Sequence, residues 1–554
     1  MSVAMKQRTS GSARSSSKST RSATQAALSV VLVVLLALAP LPLGSNRPVF
    51  WALGALVLGI SGAIYCATLA VRGQSLRMSP SWLSTAMALG AAYLFWIVLQ
   101  VLPLGALTGG FETTLPSGLV VRHDTLSLTP GASILAALRV AGYGMLFFLG
   151  LQVAANRDRS KKVAQALFFM VTAWALYAML ALVQFGDTIL FFEKWAYFGS
   201  ATGPFVNRNS FATFLAMGLV TGLGLVADRA TRAQRHASTS RAAQLTDASS
   251  MHIYLLGLMS LLVLATLFQS NSRMGVFAGL VGASLTLMLI VARRLALNRR
   301  ILLLVPLALA VTGAITAWFY GGVLFERLGG VEQAADVRLA VYLQVLDMIA
   351  QRPLTGWGAD SFEVMYRAFR EPPVSVEFSW ARAHSTYLSH WMESGVIAGS
   401  IPMILVGWAF VACLWAAIRR DSDIVLPAIG AGVILTGAVH SLVDFSLEMQ
   451  ANTWLFIVLI ALALGRDRTK RARARTQASS APASPISTDS TPQETPDPVA
   501  IEVPVHPPVQ DLRTPSFGKP SAQARPDEAG KPSTPASSSA PANNRGKKRR
   551  KRRR

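Results

Sequence analysis

The stretch that decides the fold is Pro48–Val71, PVFWALGALVLGISGAIYCATLAV, in which no residue carries a charge. A helix needs roughly 20 mostly apolar residues to cross the hydrocarbon core of a bilayer, so this stretch predicts a membrane-spanning helix. Similar runs recur along most of the chain, which is 52% hydrophobic and only 14% charged. Because soluble domains carry about 25% charged residues, this composition excludes a soluble multidomain protein.

Working outward from this stretch, the apolar runs predict twelve transmembrane helices and therefore an all-α integral membrane protein. The predicted spans are Ala26–Leu43, Pro48–Val71, Trp82–Leu104, Ser133–Ala155, Val163–Val183, Phe211–Ala227, Ile253–Phe268, Val276–Ala292, Ile301–Tyr320, Val396–Ile418, Ile424–Val439 and Met449–Gly465.

The net charge of +24 lies mostly at the two ends of the chain. Residues 1–25 contain five cations and no acid, and residues 466–554 contain 19 basic and 8 acidic residues. We therefore expect a basic cytoplasmic N-terminal segment (1–25), a membrane domain (26–465) and a basic cytoplasmic tail (466–554). The tail is rich in Ser, Pro, Ala and Thr, which predicts disorder. A nucleic-acid patch is the alternative for the tail, but contact with anionic lipid is favoured in a membrane protein, so no nucleic-acid partner is expected.

Lysine and arginine are concentrated in alternate loops between the predicted spans. Because cytoplasmic loops carry an excess of these residues, the basic loops and both termini are predicted to be cytoplasmic. The basic loop residues are Arg72 and Arg77; Arg157, Arg159, Lys161 and Lys162; Arg229, Arg232, Arg235 and Arg241; Arg293, Arg294, Arg299 and Arg300; and Arg419 and Arg420.

The longest predicted extracytoplasmic loop, residues 321–394, joins the ninth and tenth spans. Apolar residues recur in it at helical spacing, which predicts an amphipathic helix that ends at Arg352-Pro353. Those apolar residues are Val337, Val341, Leu346 and Ile349.

Three polar segments lie where predicted spans meet the extracytoplasmic surface. They carry Arg208 before the sixth span, Arg273 between the seventh and eighth spans, and His384 before the tenth span. The planar guanidinium of arginine matches phosphate oxygens in a bidentate manner, so the two arginines can bind a diphosphate. Histidine titrates near neutrality and can accept a proton from an attacking hydroxyl. A phosphorylated lipid substrate is therefore predicted for this face.

Simpler interpretations stand beside this one, because arginines at helix ends usually extend to the membrane interface without further function. The extracytoplasmic position of Arg208 and Arg273 favours function, since the charge bias there works against cations. Among the candidate accessory residues, Arg139 lies inside a predicted span, where either function or extension to the interface is open. Arg338 could have a functional role or could equally belong to the solvated face of the helix in the long loop. His440 and Asp444 could have a functional role, or they could only cap the eleventh span or pair with each other.

Five segments resemble the O-antigen ligase-related membrane glycosyltransferases, a superfamily of O-antigen ligases, O-antigen polymerases and protein O-oligosaccharyltransferases. The family signature is a histidine and a small polar residue, followed by nine residues and a glycine turn. His384-Ser385 and Gly395 match this signature. The turn is one residue longer to its second glycine, Gly399, than the commonest form. The resemblance covers roughly residues 30–465. The five segments are Gly203–Phe211, Ser272–Gly275, Arg352–Phe362, Ala383–Leu388 and His440–Asp444.

The resemblance implies a GT-C-type inner-membrane enzyme whose donor is a glycan linked to undecaprenyl diphosphate, with no cofactor and no metal. By matching position, Arg208 and Arg273 would bind the diphosphate and His384 would activate the acceptor. The acceptor hydroxyl would belong to lipid A-core, to a growing glycan or to a protein. Ligase activity is our first hypothesis, and polymerase or protein O-oligosaccharyltransferase activity is the alternative.

A twelve-helix transporter is the hypothesis from a different functional class. Major-facilitator transporters have two six-helix halves, with a prominent connection between helices six and seven. Here the longest connection follows the ninth span and no repeat is evident, so transport is disfavoured.

Overall fold

The computed structural model describes residues 23–235, 248–294, 328–377, 380–420 and 423–465. These residues form a bundle of long helices joined by shorter helices and one hairpin. The elements, in chain order, are α1 (Ala23–Leu38), α2 (Pro48–Val71), α3 (Ser84–Val101), α4 (Gly105–Thr108), β1 (Phe111–Thr114), β2 (Val120–His123), α5 (Pro130–Ala154), α6 (Arg157–Val183), α7 (Arg208–Arg235), α8 (Ala248–Gln269), α9 (Arg273–Arg294), α10 (Leu328–Gln351), α11 (Phe362–Phe369), α12 (Thr386–Ser394), α13 (Val396–Arg419), α14 (Val425–His440) and α15 (Gln450–Leu464).

Eight of the described helices are long and apolar enough to cross a membrane, namely α2, α3, α5, α6, α7, α8, α9 and α13. Three shorter apolar helices, α1, α14 and α15, also coincide with predicted spans. The all-α membrane architecture is therefore confirmed. The ninth predicted span, Ile301–Tyr320, lies outside the described residues, as does the basic tail, and the total of twelve spans stays a prediction.

The first predicted span is shifted in the structure. The helix starts at Ala23 and ends at Leu38, whereas the sequence pattern predicted Ala26–Leu43. Pro40 and Pro42 follow the helix, and proline can neither donate a backbone hydrogen bond nor tolerate a helical residue directly before it, so the helix stops early.

The centre of the bundle is α7, in which every residue from 210 to 222 is buried. It packs against α9, and glycine makes the contact close. A Cβ atom at Gly275 of α9 would lie only 2.5 Å from the Cβ of Ala212 in α7. α7 and α9 begin at the same end of the bundle, where α14 also finishes; we call this end the His384 end.

The predicted amphipathic helix in the long loop is confirmed as α10, which stops at Gln351, directly before Arg352-Pro353. Val341, Val345, Met348 and Ile349 form its buried face, whereas Leu346 is 45% exposed, contrary to its predicted position on the apolar face. The buried face joins a second hydrophobic core with α11, Trp357 and Met392 of α12. This core supports the chain that carries His384.

The two strands pair antiparallel, with Phe111 opposite His123 and Thr114 opposite Val120. Arg352, directly after α10, donates hydrogen bonds to the Thr113 hydroxyl in β1 and to the Leu126 carbonyl, the latter at 3.2 Å, and so fastens the hairpin to the end of α10. The guanidinium of Arg352 also lies over the ring of Trp357, with 4.8 Å between its Cζ atom and the ring centre.

Candidate functional site

Arg208 and Arg273 are the first residues of α7 and α9. The unpaired N–H groups at a helix start, together with the helix dipole, favour an anion there. The Gly275 contact with Ala212 brings these two starts together, within one turn of each arginine. The structure thus brings two predicted phosphate-binding residues to one place.

The turn that carries Arg273 is fixed by Asn271, which has a left-handed backbone with φ of 54°. Its side-chain amide donates to the Gly199 carbonyl at 3.2 Å and to the Ser200 hydroxyl at 3.1 Å. A backbone bond of 2.7 Å from the Ala201 N–H to the Gln269 carbonyl completes the link. The turn between α8 and α9 is therefore anchored to the loop that precedes Arg208.

Arg208 lies over the ring of Tyr197, with 5.4 Å from its guanidinium carbon to the ring centre. The next residue, Asn209, donates from its side-chain amide to the Asp444 carboxylate at 2.8 Å. Asp444 is 1% exposed, so this bond places the start of α7 against a buried carboxylate.

His440 and Asp444 do not pair as the sequence allowed, because each has another partner. The His440 Nδ1 atom is 2.5 Å from the Thr213 hydroxyl of α7. Asp444 accepts hydrogen bonds from Asn209 and from the Ser446 hydroxyl. Both residues therefore join the end of α14 to the beginning of α7.

His384 lies beside this junction and has an unusual backbone, with φ of 54°. Its carbonyl accepts a hydrogen bond of 2.9 Å from the Tyr342 hydroxyl of α10. Its ring meets Trp380 and Phe445 edge to face, at 5.2 Å and 4.9 Å between ring centres. Among the described residues, the His384 Nδ1 atom is buried and has no hydrogen-bond partner.

Burial lowers the pKa of His384 to about 4, because the charged imidazolium is poorly solvated there. The Asp444 carboxylate opposes this shift in pKa, and the Arg338 guanidinium adds to it. At neutral pH the imidazole is uncharged and can accept a proton.

The chain after His384 is joined to the end of α14 by four hydrogen bonds, one of which runs from the Ser385 hydroxyl to the Ser441 carbonyl at 3.5 Å. The Thr386 N–H donates to the Ser441 carbonyl at 3.1 Å, and the Thr386 hydroxyl donates to the Asp444 carbonyl at 3.3 Å. The Tyr387 hydroxyl donates to the Ala438 carbonyl at 2.9 Å. His384, Asp444 and Arg208 are thus linked through a continuous set of contacts, whereas Arg338 is exposed on α10 nearby.

Arg139 belongs to a separate buried cluster of charged side chains, and a functional role for it stays a prediction. It lies 3.8 Å from Asp360 and stacks on Trp51 at 4.4 Å. Arg382 completes the cluster, with 2.5 Å to Asp360 and 3.4 Å to Glu448. Arg382 precedes His384 by two residues, and Glu448 follows Asp444 by four. The cluster therefore holds the chain segment of His384 and that of Asp444 in place.

Sequence reasoning missed this cluster, which also includes Glu393. Burial raises the pKa of Glu393 to about 8, and the neighbouring Asp360 and Glu448 carboxylates add to the rise. The available signal was that Asp360, Arg382 and Glu393 all fall within or beside the quoted family segments. Taken alone, each of these charged residues would be interpreted as an exposed loop residue, and only the fold brings them together.

The second glycine of the signature turn has a structural role. Gly395 has φ of 77° and separates α12 from α13. Gly399 packs directly on the backbone carbonyl of His390, where any Cβ atom would collide. The longer turn in this chain therefore still places α12 against the first turn of α13.

Among the described residues, no group of three His, Cys, Asp or Glu side chains is arranged to hold a metal ion. The chemistry that the described groups offer is anion binding at two arginine-bearing helix starts and proton acceptance at a neutral histidine. Metal independence itself stays a prediction.

Comparison with protein families finds that residues 258–403 match the family described as O-antigen ligase. The matched range contains Arg273 and His384 and lies within the part of the chain that the sequence resemblance covered. No curated protein matches the chain. The match indicates a membrane glycosyltransferase-type enzyme of O-antigen or lipopolysaccharide biosynthesis, and with the apolar helices it indicates a multi-pass inner-membrane protein.

Proposed function

We propose that this chain, a member of the O-antigen ligase-related superfamily, transfers a glycan from undecaprenyl diphosphate to an acceptor hydroxyl. The transfer takes place at the periplasmic face of the inner membrane, and the acceptor is the lipid A-core, as in an O-antigen ligase. The donor already contains an activated diphosphate link, so no nucleotide is needed, and the family resemblance implies that no metal is needed.

The observation that carries this proposal is the junction of His384, Asp444 and the start of α7. His384 presents a buried Nδ1 atom without a partner among the described residues, and the Asp444 carboxylate acts on its ring. Asp444 in turn binds the Asn209 amide beside Arg208 at 2.8 Å. The proposed proton acceptor, His384, and the proposed anion-binding start of α7 therefore both interact with the buried Asp444 carboxylate.

The reaction follows from these roles. The acceptor oxygen forms a bond to the anomeric carbon of the donor sugar, and the bond between that carbon and the diphosphate oxygen breaks. His384 accepts the hydroxyl proton, while Arg208 and Arg273 neutralise the charge that develops on the departing diphosphate. Attack from the side opposite the leaving group inverts the anomeric configuration. The Asp444 carboxylate stabilises the imidazolium that forms on His384.

The first test separates donor binding from turnover in the full-length protein. His384→Ala should lower the transfer rate by about 10²- to 10⁴-fold, the usual range for a positioned acid–base group, with donor affinity nearly unchanged. His252→Ala, which changes an exposed histidine of α8, is the matched control and should transfer at the wild-type rate. Full transfer by His384→Ala would remove the proposed base.

The acceptor is tested in a strain that lacks the protein. Undecorated core, with intact polymer remaining on the lipid carrier, supports a ligase. Core that bears a single repeat unit identifies a polymerase, and loss of glycan from protein alone identifies a protein O-oligosaccharyltransferase.

A further inference from the structure

The connection between α6 and α7 exposes a dense group of aromatic side chains. Residues 185–198, here called the aromatic loop, include Phe191, which is 98% exposed, and Phe198, which is 68% exposed. Four more aromatic side chains of the loop are at least one-third exposed. The complete set is Phe185, Phe191, Phe192, Trp195, Tyr197 and Phe198.

Internal bonds hold the aromatic loop in this shape. Lys194, only 6% exposed, pairs with Asp187 at 2.7 Å and donates to the Ser200 carbonyl at 2.6 Å. The second Asp187 oxygen accepts from the Gly199 N–H at 2.7 Å. A buried lysine is costly unless it is paired, so the ion pair and its hydrogen bonds fix the base of the loop.

The loop is also fastened to the helix before it. The Leu190 N–H donates to the Tyr177 hydroxyl of α6 at 2.6 Å. Ile189 is fully buried, and it exchanges two backbone hydrogen bonds of 3.0 Å with Phe192. With its polar groups satisfied internally, the loop displays apolar side chains from a fixed backbone.

The aromatic loop contacts one arginine-bearing segment, and the residues directly after the loop contact the other. The guanidinium of Arg208 lies over the ring of Tyr197 in the loop. Gly199 and Ser200, which follow the loop directly, bind Asn271 in the turn before Arg273. The loop follows α6, and residues 199–207 join it to α7. Both helices are long enough to span a membrane, so the side chains of the loop are expected at the level of the membrane interface.

We propose that the aromatic loop binds the polyprenyl chain of the donor and directs its diphosphate to Arg208 and Arg273. This proposal rests on the function proposed above and assigns the lipid part of the donor to a site. Four of the six exposed rings are phenylalanine, which offers no hydrogen bond, so the surface suits a branched hydrocarbon chain better than a sugar. A general interfacial anchor would need neither the fixed backbone nor the contact with Arg208.

The consequence is a preference for long prenyl chains that depends on the loop. A short chain can cover only the rings nearest to the diphosphate, whereas a long chain also gains contacts with the remaining rings. Two probes without any sugar, undecaprenyl diphosphate and farnesyl diphosphate, share the diphosphate and differ in chain length.

The experiment measures the affinity of the full-length protein in detergent for both probes. The triple variant Phe191→Ser, Phe192→Ser and Phe198→Ser should bind undecaprenyl diphosphate about tenfold more weakly than the wild type, equivalent to roughly 1.4 kcal/mol. Its affinity for farnesyl diphosphate should fall by clearly less, because the shorter chain contacts fewer of the rings. Phe95→Ser, which removes a 64% exposed ring from α3, is the control and should leave both affinities unchanged.

An equal loss of affinity for both probes, or no loss for either, overturns the proposal. If the triple variant does not fold, Phe198→Ser alone should show a smaller, chain-length-dependent loss. Glycan transfer by the wild type is assayed separately. Chain-length-dependent binding in a protein that transfers no glycan would refute the proposed function and leave the lipid site standing.

Discussion

At the scale of single residues, the site depends on the shape of two guanidinium groups as well as on their charge. Arg208 and Arg273 each begin a helix, and the two helices touch at Gly275 and Ala212. A planar guanidinium can bind two phosphate oxygens at once, whereas an ammonium group binds as a point charge. Position and side-chain geometry therefore act together on a diphosphate.

We predict that lysine cannot replace either arginine. Arg208→Lys and Arg273→Lys should each weaken donor binding and transfer by about tenfold or more, because loss of a charge-assisted bidentate contact costs roughly 1.5–3 kcal/mol. Binding and turnover are measured on folded, purified protein. Arg122→Lys, in the exposed hairpin, is the control. Wild-type activity in both site variants would reduce these arginines to ordinary surface charges.

The protonation state of His384 gives a second prediction. Its pKa is lowered to about 4, so the imidazole stays neutral and able to accept a proton throughout the mildly acidic range. As the pH falls, activity should therefore persist through pH 6.5 and be lost only near pH 4. The pH dependence of kcat/KM reports the ionisation of the free enzyme and is the appropriate measurement. A half-loss at pH 6.5 would contradict the buried environment.

The sequence allowed Arg208, Arg273 and His384 to be predicted as one site, because each lies beside a predicted span on the same face. It did not reveal the cluster of Arg139, Asp360, Arg382 and Glu448. These residues are far apart in the chain, and their pairing depends on how α5 and the segments before α11, α12 and α15 pack. Pairwise contact between distant segments has no local pattern to detect.

At the scale of elements, the break between α12 and α13 positions the chain that carries His384. Gly395 allows the change of direction, and Gly399 lets α13 touch the carbonyl of His390. The glycine turn was visible in the sequence, but the need for both glycines follows only from this backbone contact.

We predict that Gly399→Ala destabilises the protein by about 1–3 kcal/mol, as expected when a methyl group is forced into a packed interior. Gly407→Ala in the same helix is the control, since no atom lies within 4 Å of the added methyl group. The control should be neutral or slightly stabilising, because alanine favours helix. Thermal unfolding in detergent compares the two, and equal stability of both variants would contradict the close contact at Gly399.

Helix boundaries were predicted well where a long apolar run ended in charge or proline, as at Pro48–Val71. α14 and α15 also match their predicted spans to within one residue at each end, whereas the prediction for α1 ran past Pro40 and Pro42 to Leu43 although the helix ends at Leu38. Apolar composition determines which segments leave water, whereas proline and backbone hydrogen bonding determine where a helix stops.

At the scale of the whole molecule, two groups of charges mark opposite ends of the bundle. Asp228 of α7 lies 20 residues beyond Arg208, which corresponds to about 30 Å along a helix and to the thickness of the hydrocarbon core. Asp228 binds Lys161 and Arg294 at 2.7 Å each and Arg232 at 2.8 Å. Three cations share one carboxylate, so this end keeps an excess of positive charge.

That excess predicts the orientation of the protein, because positively charged loops are retained in the cytoplasm. With Asp228 at the cytoplasmic end, the His384 end faces the periplasm, where the lipid-linked donor is presented. Reporter fusions at Gly330, in the predicted outer loop, and at Gln477, in the basic tail, should then report opposite sides of the membrane. A fusion at Gly73, between α2 and α3, serves as an internal reference and should agree with Gln477. If Gly330 and Gln477 reported the same side, the predicted even number of spans and the shared periplasmic position of Arg208, Arg273 and His384 would both be wrong.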